Sequence, residues 1–269
     1  MNAIVVAVLD RPEAAAALLS AAARLCDLLA ADHVSALVVR VPPLATIMPT
    51  EEVLTVEREA EIRAQQAKWG GQMKAAFDTW CGGAQRRGAE VAWVDVESDL
   101  EAALAEHAAP AAALVVAQPA PESGAHARHV LHAALFATGR PVLIVPAGGA
   151  ADFGDEVAIA WKDDGHAAKA ALSGMPILRR ARRVHVLRAG EASAELPAIL
   201  RDHSVAAKLH IAPAGDGSTG EKLLALAHAL GADMLVMGAY GHGEWREALF
   251  GGVTRHVQTH ADLPVFMQH

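Results

Sequence analysis

The stretch from Gly238 to Thr254 carries the residue types that can hold a phosphate. An apolar run, Met234-Leu-Val-Met237, leads into Gly238 and Gly241. Gly251 and Gly252 then open a helical pattern that continues Val253-Thr254-Arg255-His256. Glycines at a strand-to-helix junction let backbone amides approach an anion closely, and the helix N-terminus adds partial positive charge. His242 lies inside this loop, where a protonated imidazole would meet a phosphate; its plainer reading is a solvent-facing loop histidine. Glu244, Arg246 and Glu247 are read as the solvated face of the connection, with Trp245, Leu249 and Phe250 packing inward.

Such a loop must be positioned by a strand and a helix, and the chain supplies them repeatedly. Short β-branched runs alternate with Ala/Leu-rich helical stretches, the pattern of βαβ units and a parallel sheet. Strands are expected at 3–9, 34–41, 89–96, 112–118 and 141–146, and again at 156–162, 183–189, 207–213, 233–238 and 263–268. Five strands followed by five more indicate two copies of one unit. Ile4-Val-Val-Ala7-Val-Leu-Asp10 parallels Val157-Ala-Ile-Ala160-Trp-Lys-Asp163. Ser98-Asp-Leu-Glu101 parallels Ser218-Thr-Gly-Glu221, each read as a capping box. Arg140-Pro141 and Leu263-Pro264 each open a last strand, where proline forfeits no needed donor.

The division follows: 1–148 and 155–269, joined by the Gly-rich Ala147–Gly154. The first copy carries extra residues within Pro42–Gly88, of which Glu51–Trp80 reads as a long charged helix. The second has only a short helix there, near Ser193–His203. Each half is expected to be a doubly wound, flavodoxin-like sheet of order 3-2-1-4-5. Ligands in such sheets sit beyond the carboxyl ends of strands at the switch point. That places Trp161, Lys162 and Asp163 opposite the loop from Gly238. The halves are expected to pair as a pseudo-dimer through their last strands, with a further homodimer open.

Composition narrows the function classes. The 269 residues carry a formal charge of −8 and are 53% hydrophobic but only 4% aromatic. No basic arm is present, which argues against nucleic acid as a partner. The run Arg179-Arg180-Ala-Arg182-Arg183 is read as a solvated helix end. No apolar run approaches the ~20 residues that span a bilayer, so no membrane association is expected. Cys26 and Cys81 offer neither a disulfide framework nor a metal cluster. A reducing cytoplasm fits, and no basic n-region precedes the first strand.

Gly238-x2-Gly241-x9-Gly251, together with the two-fold strand layout, resembles the universal stress protein family in its tandem form. The family's nucleotide binders carry Gly-x2-Gly-x9-Gly-Ser/Thr between the fourth strand and fourth helix. The resemblance implies an adenine nucleotide alpha hydrolase-like α/β fold and ATP, with Mg, bound in the second half as a regulatory ligand. It implies phosphate contacts from Gly238, Gly241, Gly251, Gly252 and Val253, with a hydroxyl from Thr254. It implies ribose or base contacts from Ala160, Trp161, Lys162 and Asp163, and backbone contacts near Leu187. It also implies a cytoplasmic stress-response protein that works by binding, not turnover, with at most slow ATP hydrolysis. Gly252 departs from the pattern by standing where binders have Ser or Thr. Lys162 departs by standing at the family's first-strand aspartate, so that Asp163 must substitute. In the first half Pro119, Pro121 and Glu122 replace the glycine pair, and proline lacks the amide that a phosphate needs. That half is read as a scaffold.

Other patterns favour plainer readings. Gly215-Asp-Gly-Ser-Thr-Gly220-Glu221-Lys222 mimics a P-loop, but Glu221 occupies the lysine position. His256 and His260 share a helical face without the carboxylate that a zinc motif would bring, and His126, His129 and His132 are likewise discounted. Trp69, Trp80 and Trp93 are read as packing of the long helix on the sheet. No placed nucleophile or base supports an enzyme. The competing reading is a nucleotide-independent scaffold or chaperone-like protein, with an unidentified protein partner docking on Glu51–Trp80.

Overall fold

Each apolar run closes a parallel ladder with its neighbours, and the run lengths set the strands. A computed structural model describes residues 3–43, 55–83, 90–119, 124–190, 195–213, 216–239 and 252–269. In the first half the order is β1 (Ile4–Val8), α1 (Pro12–Leu29), β2 (His33–Arg40), α2 (Val56–Cys81), β3 (Val91–Glu97), α3 (Leu100–Ala108), β4 (Ala111–Ala117), α4 (Gly124–Ala137) and β5 (Val142–Val145). The second half runs β6 (Glu156–Ala160), α5 (Gly165–Ser173), α6 (Met175–Arg180), β7 (Arg183–Ala189), α7 (Ala198–Asp202), β8 (Lys208–Ala212), α8 (Thr219–Ala229), β9 (Met234–Gly238), α9 (Gly252–His260) and β10 (Val265–Gln268). All ten expected strands form, with ends shifted by a residue or two.

The halves join into one ten-stranded sheet, β3-β2-β1-β4-β5-β10-β9-β6-β7-β8. Each half has the expected 3-2-1-4-5 order. The junction is the single antiparallel pairing, β5 with β10, in which Phe266 faces Leu143. Strand alternation sorts the side chains into two layers. Val5, Ala7, Val157, Ile159 and Phe266 pack with α1, α2, α5, α6 and α7. Val6, Val8, Ala158, Leu187 and Val265 pack with α3, α4, α8 and α9. Both layers run through both halves, so the core is shared across the junction.

The halves also cap one another's helices. The last carbonyls of a helix lack intrahelical donors. Arg180 at the end of α6 donates to the Asp27 and Leu28 carbonyls that end α1. Gln118, just after β4, donates through Nε2 to the Gln258 and Ala261 carbonyls at the end of α9, 3.0 Å each. Gln268 Nε2 donates to the Gly139 carbonyl beyond α4, 3.0 Å away.

Two sequence readings change in detail. The arginine run is more than a solvated helix end: Arg180 caps α1, while Arg182 and Arg183, beyond α6, pair with Glu156 at 2.7 and 2.6 Å. The cap of α3 is Asp99, which accepts from the Ala102 amide at 3.0 Å, rather than Ser98. Ser98 instead donates its amide to the Arg40 carbonyl, which draws it into the ladder. Ser218 does cap α8, accepting from the Glu221 amide at 3.2 Å. The long helix is present as α2, and residues 51–54 of its expected span lie outside the described residues. Trp80 is buried and donates to the Ser20 hydroxyl of α1 at 2.9 Å, and Trp69 packs against the same cluster. The Phe77 and Trp93 rings lie 5.0 Å apart, so the tryptophans pack the helix as expected.

Candidate functional site

The strand order reverses beside β6. From β6 the chain moves outward to β7 on one side, while β9 pairs with β6 on the other. Ala160 pairs with Met237 and with Leu187, so these strands end at the same height. The resulting crevice is flanked by the segment after β6, by Gly238 and by the start of α9. Gly241, His242 and Gly251 lie outside the described residues.

Gly238 ends β9 against the first turn of α5. A Cβ built there would lie 2.6 Å from the His166 carbonyl carbon and 2.7 Å from the Ala167 nitrogen. Both neighbours are backbone, so the close approach of α5 to β9 requires glycine. Packing therefore dictates this residue whatever it offers a ligand. Gly252, by contrast, begins α9 in open space, with nothing within 4 Å of a built Cβ. Val253 is half-buried, and Thr254 turns inward with Val257 and Gln258.

The residues after β6 divide between the two layers. Ala160 and Leu187 present apolar surface to the α8 and α9 layer. The Trp161 amide donates to the Leu187 carbonyl at 2.8 Å, extending the ladder by one bond. Asp164 caps α5, accepting from the His166 and Ala167 amides at 3.1 and 3.0 Å. Lys162 is mostly exposed, with Nζ 3.9 Å from the Asp164 carboxylate. Asp163 accepts from Trp161 Nε1 at 2.7 Å and from Arg188 at 2.5 Å. These two hydrogen bonds, Trp161 first and Arg188 second, hold its carboxyl below the usual carboxylate range.

Arg188 is the residue that sequence reasoning missed. It is 4% exposed at the end of β7 and also donates to the Glu195 carbonyl at 3.2 Å, while its Nε has no partner among the described residues. Its signal was present: a cation at the inward phase of an otherwise apolar strand must be held by a carboxylate. Asp163 supplies that carboxylate and is thereby turned toward Arg188.

At the corresponding place in the first half the side chains pair with one another. Asp10 follows β1 and pairs with Arg11 at 2.7 Å, and Arg11 also donates to the Gln118 carbonyl at 2.9 Å. The Asp10 side chain is only 3% exposed, and burial pushes its carboxyl above the usual range despite Arg11. Pro121 and Glu122 lie outside the described residues.

The remaining motifs fall away from both crevices. Gly220, the glycine of the P-loop mimic, sits where α8 crosses α9: a Cβ there would lie 2.8 Å from that of His256. His256 and His260 stack with ring centres 4.2 Å apart. His129 lies 3.6 Å from Glu101, and His132 contacts the Phe136 ring. Among the described residues no group of three or more His, Cys, Asp or Glu is arranged to hold a metal ion.

Comparison with known proteins bears on this geometry. The Universal stress protein family description matches residues 210–269, from β8 through the crevice to β10. Three solved structures extend the likeness of fold over the whole chain. A universal stress protein from Archaeoglobus fulgidus DSM 4304 is 13% identical, with a TM-score of 0.69, covering 98% of this chain and 97% of its own. A protein provisionally named a universal stress protein, from Pseudomonas aeruginosa UCBPP-PA14, is 14% identical at TM-score 0.61, covering 100% and 93%. A functionally unknown protein from Pseudomonas aeruginosa PAO1 is 13% identical at TM-score 0.57, covering 98% and 92%. No curated protein matches the chain significantly. The likeness of fold thus spans both halves, and the family match falls within the second. Among the described residues no helix is long and apolar enough to cross a membrane.

Proposed function

We propose that the second half binds ATP or another adenine nucleotide as a regulatory ligand, in a cytoplasmic stress-response protein that acts by binding rather than turnover. The observation that carries this reading is the crevice between β6 and β9. Apolar Ala160 and Leu187, both buried, pair near the end of β6 on one side, and the start of α9 at Gly252, where a built Cβ meets nothing among the described residues, stands on the other. An adenine ring suits the first and phosphates the second. A magnesium ion accompanying the nucleotide would offset the charge of its phosphates. Lys162 is an exposed cation two residues after β6, and hydrogen bonds from Trp161 and then Arg188 hold the neighbouring Asp163 carboxyl below its usual range.

The test is calorimetry with ATP, ADP and AMP, with and without magnesium, on wild type and Gly252→Asp. The substitution meets no neighbour, and a carboxylate complements a helix N-terminus, so the fold should tolerate it. It also places negative charge where a phosphate would sit. Micromolar binding by wild type that vanishes in a stably folded Gly252→Asp supports the reading. No binding by wild type at millimolar nucleotide sinks it.

The scaffold reading draws on α2. This 26-residue helix buries only Met73, Phe77 and Trp80, which leaves a long polar face in water. It gains if nucleotide fails to bind and removal of that face disrupts assembly.

A further inference from the structure

Helix α9 has two ends with different company. Its N-terminus, Gly252–Thr254, borders the crevice of the second half. Its C-terminus is held by the first half. Of the last carbonyls that α9 leaves without intrahelical donors, those of Gln258 and Ala261 both accept from Gln118 Nε2 at 3.0 Å. Gln118 is 9% exposed and immediately follows β4. Its own backbone is fixed on both sides: its amide donates to the Val145 carbonyl at 2.8 Å, and its carbonyl accepts from Arg11 at 2.9 Å. Arg11 is in turn paired with Asp10. A continuous chain of hydrogen bonds therefore runs from the crevice of the first half to the far end of the helix that borders the second.

We propose that Gln118 is a positioning residue for the nucleotide site, and that Asp10, Arg11 and Gln118 form a latch through which the first half sets the placement of the N-terminus of α9. The proposal rests on the nucleotide reading above for its effect on affinity, while its structural part stands apart from that reading. The physical argument is one of rigidity. A nine-residue helix is about 13 Å long and moves as a unit. Its side chains Val257 and Thr254 are buried, and its crossing with α8 at Gly220 leaves no slack on that side. A helix clamped there and released at its C-terminus must tilt, and the tilt is delivered at the other end. Both Gln118 Nε2 bonds are buried, so another placement of α9 strands that amide, while Asp10 Oδ1 has no partner among the described residues. The crevice of the first half thereby acquires a role other than binding: its internal ion pair holds the residue that holds α9. By reciprocity, a ligand that fixes the N-terminus of α9 must tighten the latch to the same extent.

The test uses Gln118→Glu, which keeps the shape of the side chain, removes both donors and puts a carboxylate against the negative end of the helix. Arg11→Ala loosens the same residue from a more exposed position and serves if Gln118→Glu fails to fold. Two quantities are measured. The first is the backbone amide NMR shifts of Val253, Thr254 and Arg255 without nucleotide. The second is ATP affinity by calorimetry. The expected result is that these amides shift in both variants and that Gln118→Glu binds ATP about tenfold more weakly. Amides of 253–255 that stay in place while those of 258–261 move overturn the latch, because the disturbance then ends where it begins. ATP affinity unchanged within about twofold overturns it as well. If wild type does not bind ATP but the amides of 253–255 shift, the nucleotide reading falls and the mechanical link stands. If ATP binds normally and the amides are still, the link falls and the nucleotide reading stands.

Discussion

The two crevices sit at equivalent places in the same fold and differ in what fills them. In the first, Asp10 pairs with Arg11 through one carboxylate oxygen and Arg11 reaches the Gln118 carbonyl. In the second, Asp163 is bound by Trp161 and Arg188, Gly238 admits α5, and a Cβ at Gly252 would meet nothing among the described residues. A doubly wound sheet creates a crevice wherever its strand order reverses. Whether that crevice can take a ligand is decided by a few residues at the strand ends. In the first half the arginine sits one residue after the carboxylate and bonds the Gln118 carbonyl. In the second the arginine stands on the neighbouring strand and a glycine begins the helix.

The comparison can be broken most forcefully at Gly238. Gly238→Val drives a side chain into the backbone of His166 and Ala167, so α5 must leave β9. We expect a loss of about 1–3 kcal/mol in denaturant unfolding and loss of ATP binding in calorimetry. A variant of undiminished stability would show that α5 is not seated as described. Gly220→Ala should cost less, about 1 kcal/mol. It crowds His256 and the Val253 carbonyl at the α8–α9 crossing, and a small slide of two surface helices relieves part of that. Its ATP affinity should fall together with its stability, because α9 is displaced; unchanged affinity would place the site away from this helix.

A smaller effect should follow acidification. His185 Nδ1 and His210 Nε2 lie 3.1 Å apart on β7 and β8, with Glu156, Arg183 and Lys208 around them. Burial, then the charges of His185 and Lys208, hold His210 below its ordinary value of 6.5. The folded state thus resists a proton that the unfolded chain accepts. Stability is fully present above about pH 6.5 and declines as pH falls through and below that value. Thermal unfolding at about pH 7.5 and about pH 5 should show a lower Tm in acid, with the difference reduced in His210→Gln. Hydrogen exchange in acid should loosen β7 and β8 before β1 and β2. Equal loosening of both halves would remove this contrast between them.

Much of this was readable in the residues. Alternation and turn spacing located every strand because each is a short apolar run bounded by turn signals. The repeat of Ile4–Asp10 in Val157–Asp163 pointed to the duplication, while the 3-2-1-4-5 order taken for each half was fixed only by the structure. The glycine spacing pointed to the crevice between β6 and β9. Gln118 and Arg11 were not legible as site residues, because they meet across 107 residues and Gln118 reaches carbonyls 140 and 143 residues away. The cap of α3 slipped by one residue because Ser98 and Asp99 are both good caps, and the ladder bond of Ser98 to Arg40 broke the tie.

The amino-acid sequence by itself determined the ten strands and their two-fold repeat along the chain. Apolar period, caps and glycines act within a few residues, so they can be read along the chain. The tertiary structure decided that β5 and β10 pair antiparallel into one sheet, that Gly238 is needed for helix packing, and that Gln118 of one half ends a helix of the other. Those outcomes depend on which buried polar groups and backbones meet across the junction. That meeting is set by the packing of both layers at once, and no local stretch of the chain contains it.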